Sequence, residues 1–218
     1  MKAITYLLCL LIATLLFCNN SVANDSVAID AGHTYQYPGV ISVQGTPEVY
    51  YNEEVAIGIR NKLEDSGISI IMIEDKYLFD RPKIANEEAM VFVSIHHDGV
   101  TGKTLKQSGF SIFISKINPM YKESLRLAKC IGAELIKAGF YVGLYHKNTK
   151  KRQRLLVDKK DGVYRADRFV VLKDTKIPAV LIECGVISNP AEEERLNEKR
   201  AIMSAAIAAG IQKYLGRG

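Results

Sequence analysis

The sequence predicts a single α/β domain built on a buried, mostly parallel sheet flanked by helices. Short apolar runs of strand length alternate with amphipathic helical segments. No repeat, linker or shift in composition divides the chain. Several of the apolar runs also stop at ionisable residues, and the carboxyl ends of the strands are where such sheets hold ligands.

Residues 1–23 read as a secretory signal peptide, to be removed. Lys2 gives the positive start, residues 4–17 an apolar run too short for a membrane span, and Ser21-Val22-Ala23 a small-x-small site. The bulky Phe17 before Cys18 fits lipoprotein processing poorly, so release into the periplasm is the expectation. Residues 24–218 then form the one domain. The 29 lysines and arginines against 24 acidic residues leave a formal charge of +5, or +4 without Lys2. The basic residues are not interleaved with aromatics, which argues against a nucleic-acid partner, and no second apolar run approaches spanning length. Cys9 and Cys18 leave with the signal. Cys130 falls in a helical segment and Cys184 at the end of a core strand, positions that suit buried thiols, while export would permit a disulfide.

The elements follow in order. Residues 26–29 form a first strand, ending at Asp30-Ala31-Gly32-His33. Thr46 and Pro47 start a helix whose buried face is Val55, Ala56, Ile59 and Leu63, stopping near Gly67. Residues 69–73 are a second strand, and Asp80-Arg81-Pro82 leads a short helical turn over 83–88. The strand at 90–95 runs straight into His96, His97 and Asp98. A polar connection covers 99–108, and 109–114 is another strand. Asn118-Pro119 caps a helix to about Ala138, with Met120, Leu127, Ala128, Ile131 and Leu135 inward and Gly139 ending it. Residues 140–145 are a candidate strand, and 147–154 a basic, solvated loop with His146 exposed beside it. Residues 169–172 and 179–183 are the last strand candidates. Asn189-Pro190 opens a Glu-rich helical region, and Met203, Ile207, Ile211 and Leu215 space out a final helix.

Three strand ends carry candidate chemistry: His33, the pair His96 and His97, and Glu183, with Glu48 soon after the first. Two imidazoles and one or two carboxylates converging from different elements are what a catalytic zinc site with a fourth position for water needs, although none of this is the compact His-x-x-x-His spacing. A further carboxylate that is not a ligand can move that water's proton. Each residue has a plainer reading: His33 as a loop polar group, Glu48 as an acid stabilised by the helix macrodipole. Glu183 resists one, because it interrupts Ala179-Val180-Leu181-Ile182, and a buried unpaired carboxylate is costly.

The motifs resemble those of the zinc-dependent N-acetylmuramoyl-L-alanine amidases with one α/β catalytic domain. Asp30-Ala31-Gly32-His33 matches the family's Asp-x-Gly-His opening, and Glu48 stands four residues before Asn52 as its second ligand does. Ser94-Ile95-His96 matches its Ser-Ile-His strand end, and Glu183-Cys184-Gly185-Val186-Ile187-Ser188-Asn189 its Glu-x-Gly-Phe-x-Ser-Asn motif. Arg81 with Ala85-Asn86 matches the segment before the Ser-Ile-His strand. Departures are Thr34 for a glycine, Met72–Asp75 for a segment with Thr-Arg, His97 for a small residue and Val186 for Phe. None removes a ligand or the catalytic acid.

The resemblance implies a hydrolase that uses one zinc ion, held by His33, Glu48 and His96, with Glu183 catalytic. The bond would be the amide between N-acetylmuramic acid and L-alanine in peptidoglycan or muropeptides. Division-controlled members carry a helical insertion blocking the site, placed between the strand and helix equivalent to 109–114 and 118–138. Only a few residues join those elements here, so no activator protein is expected. His97 is left as a neighbour of substrate or solvent, since successive strand residues face opposite sides. A zinc peptidase trimming stem peptides and a non-catalytic wall-binding protein stay open as alternatives.

Overall fold

In the computed structural model, residues 25–100, 106–146 and 154–217 are described. The signal-peptide reading at 1–23, and most of the basic run at 147–154, lie outside them.

The described residues form seven strands and five helices. They are β1 (Ser26–Ala31), α1 (Glu48–Glu64), β2 (Ser69–Ile73), α2 (Arg81–Glu88), β3 (Val91–Asp98), β4 (Ser111–Ile114), α3 (Tyr121–Lys137), β5 (Leu155–Asp158), β6 (Val163–Arg165), α4 (Val170–Lys173), β7 (Ala179–Val186) and α5 (Pro190–Tyr214). The sheet order is β2-β1-β3-β7-β4-β6-β5. All neighbours are parallel except β4 with β7 and β5 with β6. The α/β reading with a mostly parallel sheet is borne out.

The central strands are buried on both faces, so they read as continuous apolar runs rather than alternating ones. The faces are nevertheless unlike. Val91, Val93 and Ile95 of β3, with Ile182 and Cys184 of β7, pack against the long helices α1, α3 and α5 through Ile59, Leu63, Leu127, Ile131, Ile207 and Ile211. Phe92 and Leu181 point the other way, into a smaller cluster covered by Ala85 of α2 and Val171 and Leu172 of α4. Helices of eight and four residues cannot roof a seven-stranded sheet. The carboxyl end of that face stays open.

Several local readings need correction. Residues 169–172 do not make a strand: Val170–Lys173 is a short helix whose Leu172 carbonyl accepts from Asn118 Nδ2 at 3.2 Å. An apolar run of four residues has no period long enough to separate a strand from a buried turn of helix. Residues 140–145 contribute only the isolated bridge between Phe110 and Val142. Instead β5 and β6 form an unanticipated hairpin, turning through Gly162 at φ 71°. The helix after Asn118 starts only at Tyr121, and Asn118 Oδ1 accepts from Met120 N at 2.7 Å. Pro47 rather than Thr46 precedes the first turn of α1. Asn189 does cap α5, accepting from Ala191 N at 3.2 Å, and the two expected C-terminal helical stretches are one helix.

Helices α3 and α5 approach closely at Gly210, where a Cβ would lie 2.4 Å from Ile131 Cα and 2.8 Å from its nitrogen. Gly210→Ala gains about 1 kcal/mol of helix propensity, but it overpacks a backbone contact at a cost of about 1–3 kcal/mol. We expect net destabilisation, read as a lower urea midpoint with unchanged slope. A raised midpoint would show that the helices can part.

Candidate metal centre and its cavity

The centre begins with a buried ion pair. Asp30, facing the thinner layer from β1, accepts from Arg81 Nη1 at 2.5 Å and from Ser94 Oγ of β3 at 2.6 Å. Arg81, buried at the start of α2, also donates to the carbonyls of Ala31 at 2.7 Å, Lys76 at 2.9 Å and His33. His33 holds a left-handed backbone, φ 72°, which costs a non-glycine residue about 1–3 kcal/mol unless its surroundings fix it. Arg81 on its carbonyl is one such constraint. Gly32 supplies two more, donating to Ile95 O at 2.9 Å and accepting from Asn52 Nδ2 at 3.1 Å. Only glycine fits there: a Cβ would meet the His96 ring at 2.3 Å.

Glu48, the first residue of α1, is 2% exposed and sits between two imidazoles. Its Oε2 is 3.0 Å from His33 Nε2, and its Oε1 3.0 Å from His96 Nδ1. Backbone N–H groups of Val40 and His97 donate to the same carboxylate, each at 3.1 Å. Burial alone would raise this carboxyl group's pKa. The hydrogen bonds from His33 and His96 outweigh it and hold the group well below the usual carboxylate range, so Glu48 is ionised.

The metal-binding atoms of His33, Glu48 and His96 all lie within 4.8 Å of one another. Zinc bonds such atoms at about 2.0–2.2 Å, so the three can close on one ion, and two imidazoles with one carboxylate suit its borderline-soft character.

His97 is elsewhere. It points from the opposite face of β3, is buried, donates from Nδ1 to Asn52 Oδ1 at 2.8 Å and packs against the Tyr51 ring. Burial pulls its pKa down to about 3, so it is a neutral prop. Its backbone steadies Glu48, and it touches neither solvent nor the cavity. The sequence named neither role.

Glu183 stands on β7 in register beside His96 of β3, on the same face, and is 9% exposed. Cys184 turns to the other face, where burial pushes its thiol pKa up; Cys130 and Cys184 are both free thiols. His33, His96 and Glu183 share a cavity of about 650 Å³ that Arg154 and Phe169 also line. The expectation of an exposed His146 is overturned. It is 3% exposed, its Nε2 lies 2.9 Å from Asp98 Oδ2, and Arg154 Nη1 donates to its Nδ1. Arg154 gave no signal in the sequence because it closes a run of surface-type basic residues.

Residues 27–213 match the family model described as N-acetylmuramoyl-L-alanine amidase. A probable cell wall amidase LytH of Staphylococcus saprophyticus is 28% identical over 87% of this chain, and the match spans 58% of that protein's length. A putative N-acetylmuramoyl-L-alanine amidase of Buchnera aphidicola is 27% identical, over 86% of this chain and 95% of its own. Among solved structures, the amidase Ami1 of Mycobacterium smegmatis superposes with a TM-score of 0.76 over 89% of this chain and 98% of its own. At 22% identity that likeness speaks for the fold alone.

Removing one partner of a buried ion pair strands the other charge, at about 3–5 kcal/mol. Arg81→Met therefore lowers the denaturation midpoint sharply at neutral pH, and adding Asp30→Asn recovers part of the loss. Equal stability of wild type and the single variant would contradict the central place given to this pair.

Proposed function

This chain belongs to the N-acetylmuramoyl-L-alanine amidase family, and we propose that it is a zinc-dependent peptidoglycan hydrolase. It cleaves the amide between the lactyl group of N-acetylmuramic acid and the L-alanine that begins the stem peptide. The observation that carries this reading is the convergence of His33, Glu48 and His96 beside Glu183, in one cavity at the strands' carboxyl ends.

His33, Glu48 and His96 would hold the ion, with the Glu48 carboxylate offsetting part of its charge. Bound there, zinc would supply Lewis-acid polarisation of the scissile carbonyl and a lower pKa for water, from ~15.7 towards ~7. Glu183 takes a proton from the attacking water on its carboxylate and returns it to the leaving alanine nitrogen. The Asp30–Arg81 pair acts through His33, keeping its ring aimed at Glu48.

Residues 1–23 serve as the export signal, and the periplasm is the site of action. Among the described residues no helix is long and apolar enough to cross a membrane. Residues 115–120 alone join β4 to α3, with no room for a blocking helix, which supports an enzyme active without an activator.

Glu183→Gln should keep stoichiometric zinc by elemental analysis while turnover falls about 10²–10⁴-fold. His96→Ala should lose both metal and activity, whereas His97→Ala should keep the metal at some cost in stability. Substantial activity in Glu183→Gln would remove its assigned role. Purified protein free of its signal should release stem peptides with L-alanine amino termini from sacculi unaided. Release only after a second protein is added would contradict the open-site reading.

A further inference from the structure

Arg154 is a buried cation in the wall of the active cavity, and the proposed chemistry does not use it. It is 9% exposed, and its guanidinium carbon lies 4.8 Å from the centre of the Phe113 ring and 5.3 Å from that of Phe169. An arginine can only donate, so His146 Nδ1 accepts from Arg154 Nη1. The imidazole proton is thereby placed on Nε2, which lies 2.9 Å from Asp98 Oδ2. Asp98 is itself fixed as the last residue of β3 and accepts from Gly99 N at 2.8 Å. A line of contacts therefore runs from the end of the strand that carries His96, through His146, to a guanidinium on the cavity wall.

The Phe113 and Phe169 rings, edge-on to each other with centroids 5.4 Å apart, pack beside the guanidinium, and the His146 imidazole accepts from it. Such an arrangement is weak evidence for a role in stability, because well-packed apolar residues often replace buried ionic groups without loss. A pre-oriented guanidinium is, however, the best available partner for a carboxylate, through its fork of parallel donors. The same cavity receives further positive charge from Lys76 and Arg168. On the amidase reading, on which this inference rests, the groups flanking the scissile amide differ in charge. One side is an uncharged sugar, and the other is a peptide bearing carboxylates.

We propose that Arg154 receives a carboxylate of the stem peptide, with His146 and Asp98 as positioning residues. The cavity thereby selects acidic stem peptides over their carboxamides and seats the peptide on the Arg154 side.

The test titrates the zinc-loaded chain calorimetrically with a free stem tripeptide and with the same peptide fully amidated at its carboxylates. Cleavage of the corresponding muropeptides is followed in parallel. Wild type should bind the acid about 10- to 100-fold more tightly, the range expected of hydrogen bonds to a charged group. Arg154→Gln should erase that preference and lower kcat/KM on the acidic muropeptide by a similar factor, and His146→Gln should shrink it partway. Equal binding of acid and amide by wild type, or no binding of either, overturns the proposal, and so does a preference that survives Arg154→Gln. The wild-type comparison decides even if a variant fails to fold. A clear binding preference without cleavage of either muropeptide would refute the amidase reading and leave this one standing.

Discussion

The buried pair of Asp30 and Arg81 is the constraint from which the rest of the centre follows. Taking two charges out of water costs several kcal/mol per ion, and only close geometry with additional hydrogen bonds offsets it. Both ions have those bonds: Ser94 on the second carboxylate oxygen, and three backbone carbonyls around the guanidinium. Such a pair adds little to stability over an apolar substitute. It joins β1, β3, α2 and the loop at His33 in one arrangement, and so holds a strained backbone at a proposed metal ligand. The proposed chemistry then rests on a loop to which the sheet and α2 give rigidity.

The sheet itself divides the labour. Its face towards α1, α3 and α5 is a thick apolar layer, and the other face is thinly covered, leaving a cavity at the strands' carboxyl ends. Parallel pairing of β3 with β7 sets His96 beside Glu183, so that the proposed metal donor and the proposed proton carrier are neighbours by register. The period of two along β3 sends His96 to the cavity and His97 into the helical layer. Burying an imidazole favours its neutral form, and His97 accordingly serves as a hydrogen-bonded support for Asn52 and Glu48 rather than as a second ligand.

Much of this was legible in the chain. Residues fixed by short-range geometry leave a local signature: Gly32 before His33, Glu48 at a helix start four residues ahead of Asn52, and an acid ending the run at 179–182. The motif resemblance assigned these roles, and the structure brings His33, Glu48 and His96 together with Glu183 nearby. What was not legible depends on contacts between distant segments. His146 and Arg154 look like surface residues because nothing near them in sequence announces Asp98, Phe113 or Phe169. Residues 169–172 look like a strand because a four-residue apolar run has no resolvable period, and β5 is an edge strand of half-buried alternation that the preceding charges obscure. His97 was separated from the metal by alternation together with the Ser-Ile-His match, yet its burial became visible only with Tyr51 and Asn52 in place.

The measurement closest to the central claim is mass spectrometry of peptidoglycan digested by the purified chain, with and without a metal chelator. The account predicts intact stem peptides beginning at L-alanine together with peptide-free glycan strands, both lost on chelation and restored by stoichiometric zinc. The same products from protein verified to be free of metal would contradict it, and so would their absence from protein with zinc bound.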